Sequence, residues 1–435
     1  MQVQGLPGFR DFYPDEAALR NHIFAIWRDV ARRYGFQEYE GPPLEPLELY
    51  VKKSGEEIVN QLYAVVDRGG REVALRPEMT PTLARMIAAR ARALKKPIRW
   101  YSIPQLLRYE RPQRGRLREH YQLNMDIIGE PGPLADAELI AATLDIMRAC
   151  GLGPADVKAR VSDRRVVRAL LDAQNLDERQ SAAAFQQIDK IEREPRGVLV
   201  GRLVESAGLT VAAADRVLSI GEVKGLGGVS EALSGAPNGA EVFEDLSECV
   251  AALGAMGLSD FVEVDLGIVR GLAYYTGIVY ELFEPSKSLR AVCGGGRYDR
   301  LVGDLGTTEL PATGFGMGDV VLGELIKERG LLPPVSGQVD VFLVAVTGEE
   351  VPLVLQMAHR LRDRGVRTEY ALNQQSVAKQ LKLAASRAAR KAVIVGPDER
   401  ARGEVTVRDL AAGEEQKVSF DSLEAVFQET EMLSG

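Results

Sequence analysis

Near residue 331 the chain breaks. Leu331-Leu332-Pro333-Pro334-Val335-Ser336-Gly337 crowds two prolines and a glycine together, and such a stretch ends both helices and strands. Beyond it the pattern alternates: an apolar strand over 339–346, a helix over 351–364, a strand over 367–372, a helix over 377–389 and a strand over 392–395. That order predicts an α/β domain with a parallel-leaning sheet. Before the break, Leu19, Ile23, Ile26, Trp27, Val30 and Tyr34 share one helical stripe, so 15–34 reads as an amphipathic helix. Strands are expected over 62–66, 72–75, 98–101 and 124–128, and a helix over 134–149. Residues 164–238 turn alanine-rich and helically periodic and read as a mostly helical insertion. A helix over 239–256 and strands over 262–266 and 278–283 follow. The expected divisions are a first part over 1–163, the insertion over 164–238, a second part over 239–330 that completes the first, and a C-terminal domain over 337–435.

Composition narrows the class. With 46% hydrophobic and 27% charged residues, the chain has enough apolar side chains to offset its chain entropy, which a disordered chain does not. No run reaches the ~18 apolar residues of a membrane span, and the first residues lack an apolar export core. Cys150, Cys249 and Cys293 lie far apart and match no zinc or disulfide spacing, and there are only three histidines. A reducing, cytoplasmic setting without a protein-held metal is expected. A net charge of −8 argues against a general nucleic-acid coat. Two segments are basic nonetheless. Arg108, Arg111, Arg114, Arg116 and Arg118 face only Glu110 within 108–118, and 376–391 holds Lys379, Lys382, Arg387, Arg390 and Lys391 with no acid. Such patches suit a polyanion docked at defined places; two solvated faces are the plainer alternative.

Five stretches could carry chemistry. Leu106–Gln122 reads LLRYERPQRGRLREHYQ, and its guanidinium groups suit phosphate oxygens because they bind them bidentately and stay charged. On a strand Arg108 and Glu110 would share a face; a salt-bridged hairpin would look the same. Arg76-Pro77-Glu78-Met79-Thr80-Pro81 reads as a rigid proline loop, whose acid and hydroxyl suit an ammonium group. Val269-Arg270-Gly271-Leu272-Ala273-Tyr274-Tyr275-Thr276-Gly277 sets a cation before a tyrosine pair, an apolar wall with hydroxyls for a small polar ligand. Cys293-Gly294-Gly295-Gly296-Arg297-Tyr298-Asp299 lets backbone approach a ligand or another strand closely. Gly314-Phe315-Gly316-Met317-Gly318-Asp319 reads as a glycine-rich strand entering a helix.

Taken together these stretches resemble the histidyl-tRNA synthetases, of class II of the aminoacyl-tRNA synthetases. Gly8-Phe9-Arg10-Asp11-Phe12-Tyr13-Pro14 resembles the family's N-terminal signature, and Arg108-Tyr109-Glu110 with Gly115-Arg116 resembles class II motif 2. The Arg270 and Cys293 stretches resemble its two histidine-specific segments, and Val377-Ala378-Lys379-Gln380-Leu381-Lys382 its anticodon-binding domain. The Arg-Glu-His-Tyr-Gln and Gly-Met-Gly-Asp combination resembles a plastid and bacterial branch. The resemblance implies an α+β catalytic domain with an antiparallel sheet, a helical insertion, an α/β anticodon-binding domain and a homodimer. It implies activation of histidine by ATP, brought with Mg²⁺, then transfer to tRNA(His). Glu78 and Thr80 would hold the α-amino group, with Gln122 facing the amino acid. Asp126, Tyr274 and Tyr275 would line the imidazole subsite. Arg108 would bind the α-phosphate, Glu110, Arg116 and His120 would complete the ATP site, and Arg270 would bridge carboxylate and α-phosphate. Gln113, Arg114, Lys379 and Lys382 would meet tRNA. Motif 3 usually carries an arginine for the γ-phosphate; Gly318-Asp319-Val320-Val321 stands here instead, leaving Arg297 or another cation for that task. A non-catalytic regulatory subunit of ATP phosphoribosyltransferase, which senses histidine, is the alternative from the same fold.

Overall fold

Along Glu119–Ile128, Leu123, Met125 and Ile127 alternate with Gln122, Asn124 and Asp126. Successive strand side chains point to opposite faces, so this strand has an oily back and a polar front. It is central to a large sheet. The structure, a computed structural model, describes residues 4–51, 60–236, 238–271, 274–286, 289–306, 308–332 and 339–428. Leu272, Ala273 and the heart of the linker, 333–338, fall outside these residues.

The sheet has nine strands among the described residues. Its interior runs antiparallel in the order Ile98–Ser102, Glu119–Ile128, Ala312–Gly318, Cys293–Arg297, Ile278–Phe283 and Lys158–Asp163. Short parallel strands, Gln37–Glu38 and Val262–Val264, close its two edges. Helices Pro14–Arg33, Pro133–Ala149 and Asp319–Glu328 cover the back. The first begins with a proline, carries Asp15 and Glu16 in its first turn and Arg32 and Arg33 in its last, and buries Ile23, Trp27, Val30 and Ala31. Proline costs nothing at a helix start, and the charges complement the helix dipole. Cys150, Cys249 and Cys293 are free and buried on this side.

Between Arg164 and Ala255 the chain is helical: Arg164–Asp172, Glu178–Ile188, Arg196–Ala207, Val211–Ile220, Gly225–Ala232 and Gly239–Ala255. Asp163 and Asp177 cap the first two through their side chains, each satisfying an otherwise orphaned amide. Among the described residues no single helix is long and apolar enough to cross a membrane.

The chain divides into two compact units, Met1–Pro333 and Pro334–Gly435. The second has a five-stranded sheet ordered Thr368–Tyr370, Val341–Ala345, Lys391–Val395, Glu404–Asp409 and Glu415–Ser419. Its first two pairings are parallel and its last two antiparallel. Val341 and Leu343 pack toward helix Val351–Asp363, while Phe342 and Val344 pack with Ala384 of helix Val377–Ser386. Burial on both faces explains the unbroken apolar run.

Two expectations change. The proline loop at Arg76–Pro81 is only half loop, because Thr80 opens the helix Thr80–Arg90; a proline at the helix start completes the turn instead of breaking it. Arg108 and Glu110 lie beyond the Gln105–Leu107 strand in irregular chain, where the Glu110 amide donates to the Arg108 carbonyl at 2.8 Å.

Candidate active site

The front of the sheet is floored by glycine. Gly314 and Gly316 lie opposite Asp126 and Asn124, and Gly296 and Gly294 lie opposite them on the next strand. A Cβ at Gly314 would sit 1.9 Å from Asp126 Oδ1, one at Gly316 2.7 Å from the Gln122 side chain, and one at Gly294 2.3 Å from Arg270 Nη1. The missing side chains therefore leave room for three polar ones.

Above this floor the expected residues converge. Tyr298 Oη donates to Asp126 Oδ1 at 2.5 Å, and Tyr274 Oη donates to Glu78 Oε2 at 3.2 Å, with Thr80 beside the same hydroxyl. The rings of Tyr274 and Tyr275 lie 5.0 Å apart and those of Tyr274 and Tyr298 5.9 Å apart. Burial pushes the Asp126 carboxyl up to about 7, against the opposing hydrogen bond from Tyr298. Arg270 has φ +57°, a costly backbone state for a residue with a side chain. It pairs with buried Glu281, and its guanidinium carbon lies 6.0 Å from the Tyr275 ring centre.

A second group adjoins the first. Arg108 Nε donates to the Pro77 carbonyl at 2.9 Å, tying the arginine segment to the Glu78 turn. Buried Arg76 holds that turn from below through Glu40 (2.6 Å) and the Gly41 carbonyl (2.8 Å). Glu110 is buried between Arg108, at 3.9 Å, and Arg116. Gln113 and Arg116 close a tight turn with amide-to-carbonyl bonds of 2.9 Å, Gly115 taking φ +74°. Arg114 reaches from this turn to Glu328. His120 projects from the front of the central strand. Burial, then the Arg108, Arg10 and Arg116 charges, push its imidazole down to about 3, so it is neutral at working pH.

Arg297 is a correction. It lies on an odd position of Cys293–Arg297, so its side chain points to the helical back. There it is buried, bonded to Asp136 at 2.6 and 3.0 Å and to the Glu130 and Gly132 carbonyls. A guanidinium so committed does not serve a phosphate on the front. Val321 is buried, its methyl 3.4 Å from where a Gly115 Cβ would stand.

Sequence reading missed Asn124, Tyr298 and Glu281. Asn124 was legible from the alternation of Gln122, Asn124 and Asp126, whereas Tyr298 and Glu281 required the strand pairing. It also missed the role of Arg10, which bonds Glu119 at 2.6 Å and Asp319 at 2.9 Å and fastens the N-terminal segment to the central strand. In the second unit, Gln380 is buried and donates to the Ala345 carbonyl at 2.8 Å, anchoring helix Val377–Ser386. That placement leaves Lys379 and Lys382 exposed.

Comparison with known proteins gives a consistent result. The family model for histidyl-tRNA synthetase matches residues 8–318, and an anticodon-binding domain model matches 340–430. A histidine–tRNA ligase of Opitutus terrae is 46% identical over 430 residues, 98% of each chain. A chloroplastic/mitochondrial histidine–tRNA ligase of Arabidopsis thaliana is 40% identical over 417 residues, 96% of this chain and 85% of the relative. The crystal structure of histidyl-tRNA synthetase from Nostoc sp. PCC 7120 superposes with a TM-score of 0.82 at 25% identity, covering 99% of this chain and 100% of that one.

Proposed function

The chain belongs to the histidyl-tRNA synthetase family, and we infer that it joins histidine to tRNA(His) in two steps. In the first, a histidine carboxylate oxygen attacks the α-phosphorus of ATP, the bond to the β-phosphate breaks and pyrophosphate leaves. In the second, a ribose hydroxyl at the tRNA 3′ end attacks the adenylate carbonyl and AMP leaves. The observation that carries this reading is the convergence of Arg270, Tyr274, Asp126 and Glu78 over a glycine floor, adjoining the Arg108 group.

Two anions meet in the first step, and negative charge grows at phosphorus. Arg270 and Arg108 supply fixed positive charge where it develops. Glu78 and Thr80 receive the α-amino group, and Gln122 borders the amino acid. Asp126 accepts from the imidazole N–H, with Tyr274 and Tyr275 as walls. Buried groups of this kind reject ligands that leave them unpaired, by ~10⁴-fold in favourable cases. Glu110 and Arg116 hold the nucleotide, and neutral His120 offers a flat ring to adenine. Mg²⁺ arrives with the ATP phosphates as part of the substrate. Gln113 and Arg114, on the tight turn, meet the acceptor end. Segments 1–163 and 239–330 form the catalytic domain, 164–238 an insertion and 337–435 the anticodon-binding domain. Exposed Leu44, Val65 and Val66 on the small sheet of Leu44–Pro46, Glu72–Leu75 and Tyr63–Val66 support a homodimer, which solution mass measurement tests. The cytoplasm is the proposed setting.

The regulatory-subunit alternative has less support. Relatives named histidine–tRNA ligase match almost end to end, and Arg108, Arg116 and Arg270 remain for phosphate chemistry, although the usual motif 3 arginine is replaced by Val320-Val321. Histidine-dependent exchange of pyrophosphate into ATP decides: the enzyme catalyses it, and histidine binding without exchange would support the sensor.

Asp126 sets a pH dependence. Below about 7 its carboxyl is protonated and accepts weakly; above it the ionised group accepts strongly from imidazole. The histidine KM of the wild-type chain should therefore fall as pH rises through about 7. Asp126→Asn should raise that KM roughly 100-fold and leave only the dependence due to free histidine itself. A variant profile identical to wild type would exclude the assignment.

Neutralising Lys379 and Lys382 should weaken tRNA binding and flatten its salt dependence by about two charges, with pyrophosphate exchange intact. An unchanged slope in a binding titration against salt would remove this patch from the RNA interface.

A further inference from the structure

Arg270 lies between a paired carboxylate and a cavity. On the sheet side it pairs with Glu281, which stands opposite Gly294 in the register. On the other side a cavity of about 40 Å³ separates the pair from the helical segment. Its wall includes Arg270 and Glu281 and, from the turn after helix Glu178–Ile188, Asp189, Glu192 and Arg193. That turn is stapled to the sheet: Arg160 donates to Glu192 at 2.6 and 2.9 Å and also pairs with buried Asp265. Asp265 in turn accepts from the Gly267 amide at 2.9 Å, three residues before Arg270. Lys224, at the entry to helix Gly225–Ala232, also pairs with Asp265.

We propose that Glu281 and Asp189 are positioning residues for Arg270, an acidic bracket through which the seating of the helical segment on Arg160 sets the rate of adenylate formation. The proposal rests on Arg270 being the group that faces the reacting phosphate. The guanidinium lies directly over Gly294 and near the Tyr275 ring, on a strained backbone, so charged neighbours set where its N–H groups point. Glu281 fixes its direction by a charge-assisted hydrogen bond, and Asp189, across the cavity and beside Arg193, adds Coulomb attraction. The cavity has room for about one water between them. A misplacement of about 1 Å at such a site costs up to ~100-fold in rate. Because the bracket touches no substrate, its loss lowers kcat and leaves binding alone.

The test uses the full chain and pyrophosphate exchange. Glu281→Gln should lower kcat roughly 10- to 100-fold with both KM values within about twofold, and Glu281→Asp should recover most of the loss. Asp189→Asn should lower kcat about threefold to tenfold, again without a KM change. In an Arg270→Ala background neither substitution should cost anything more, because both act through the missing guanidinium. A native kcat in Glu281→Gln, a parallel rise of KM, or a further loss in the Arg270→Ala background overturns the bracket. A native kcat in Asp189→Asn overturns the link to the helical segment. Should Glu281→Gln not fold by circular dichroism, Glu281→Asp and Asp189→Asn are read by the same criteria. Near-native exchange in Arg270→Ala alone would instead remove the underlying reading of Arg270.

Discussion

Arg270→Ala is expected to lower histidine-dependent pyrophosphate exchange by roughly 10²–10³-fold, the scale of losing one preorganised electrostatic group at a developing charge. Histidine binding, read by equilibrium titration, should change by less than about threefold. The asymmetry follows from what the guanidinium meets. In the proposed role, ground-state histidine offers Arg270 a single carboxylate charge. In the transition state, charge builds on the α-phosphate next to that carboxylate, and a guanidinium between them answers both. Glu281 sharpens the expectation, since removing its partner leaves a buried carboxylate facing incoming anions. Equal loss of binding and rate would mean that Arg270 is a docking residue and that catalysis rests elsewhere. Arg270→Lys should recover only part of the rate, because an ammonium cannot span two acceptors with a planar fork.

Gly314→Ala should be nearly as damaging, although it removes nothing. Its methyl would stand 1.9 Å from Asp126 Oδ1 and 3.1 Å from the Met125 carbonyl. Asp126 is buried and held by Tyr298 and the Met125 carbonyl is backbone, so Asp126 must turn away from Tyr298 and from the proposed imidazole subsite. Overpacking of this kind costs ~1–3 kcal/mol, and a displaced recognition group costs ~10²-fold or more in kcat/KM for histidine. Gly318→Ala is the control, because nothing lies within 4 Å of its Cβ position. Native kinetics in both variants would show that the floor tolerates a methyl and that its glycines serve only strand pairing. Damage in both would point to backbone strain along the whole strand.

The contrast between these glycines explains what could be read before the fold was known. Glu72–Leu75 and Ile278–Phe283 emerge at the expected residues, since short runs of apolar, β-branched and aromatic side chains mark a buried strand. Cys293–Arg297 did not read as a strand. Its glycines carry no side chain to pack, and they are there for the space they leave over the sheet, which only the pairing reveals. Arg297 was misplaced for a related cause. Proximity in sequence to a glycine run says nothing about which face an odd position takes. The Glu78 turn and the Arg108 segment were legible as chemistry, yet their joining through the Pro77 carbonyl needed three dimensions. The two compact units divide at Pro333 and Pro334, within the proline-rich stretch, where residues without an amide donor interrupt regular hydrogen bonding.

The three enclosed cysteines have a practical consequence. Burial pushes the Cys150 thiol up to about 12 and raises Cys249 and Cys293 as well, so at neutral pH each sulfur is a protonated, poor nucleophile. An alkylating reagent gains access only when the surrounding structure opens. One thiol follows the end of helix Pro133–Ala149, one lies within Gly239–Ala255 and one begins the strand beneath Arg270. Their labelling rates thus act as three separate clocks, timing the breathing of the back layer, of the helical segment and of the catalytic floor in a single unmodified molecule.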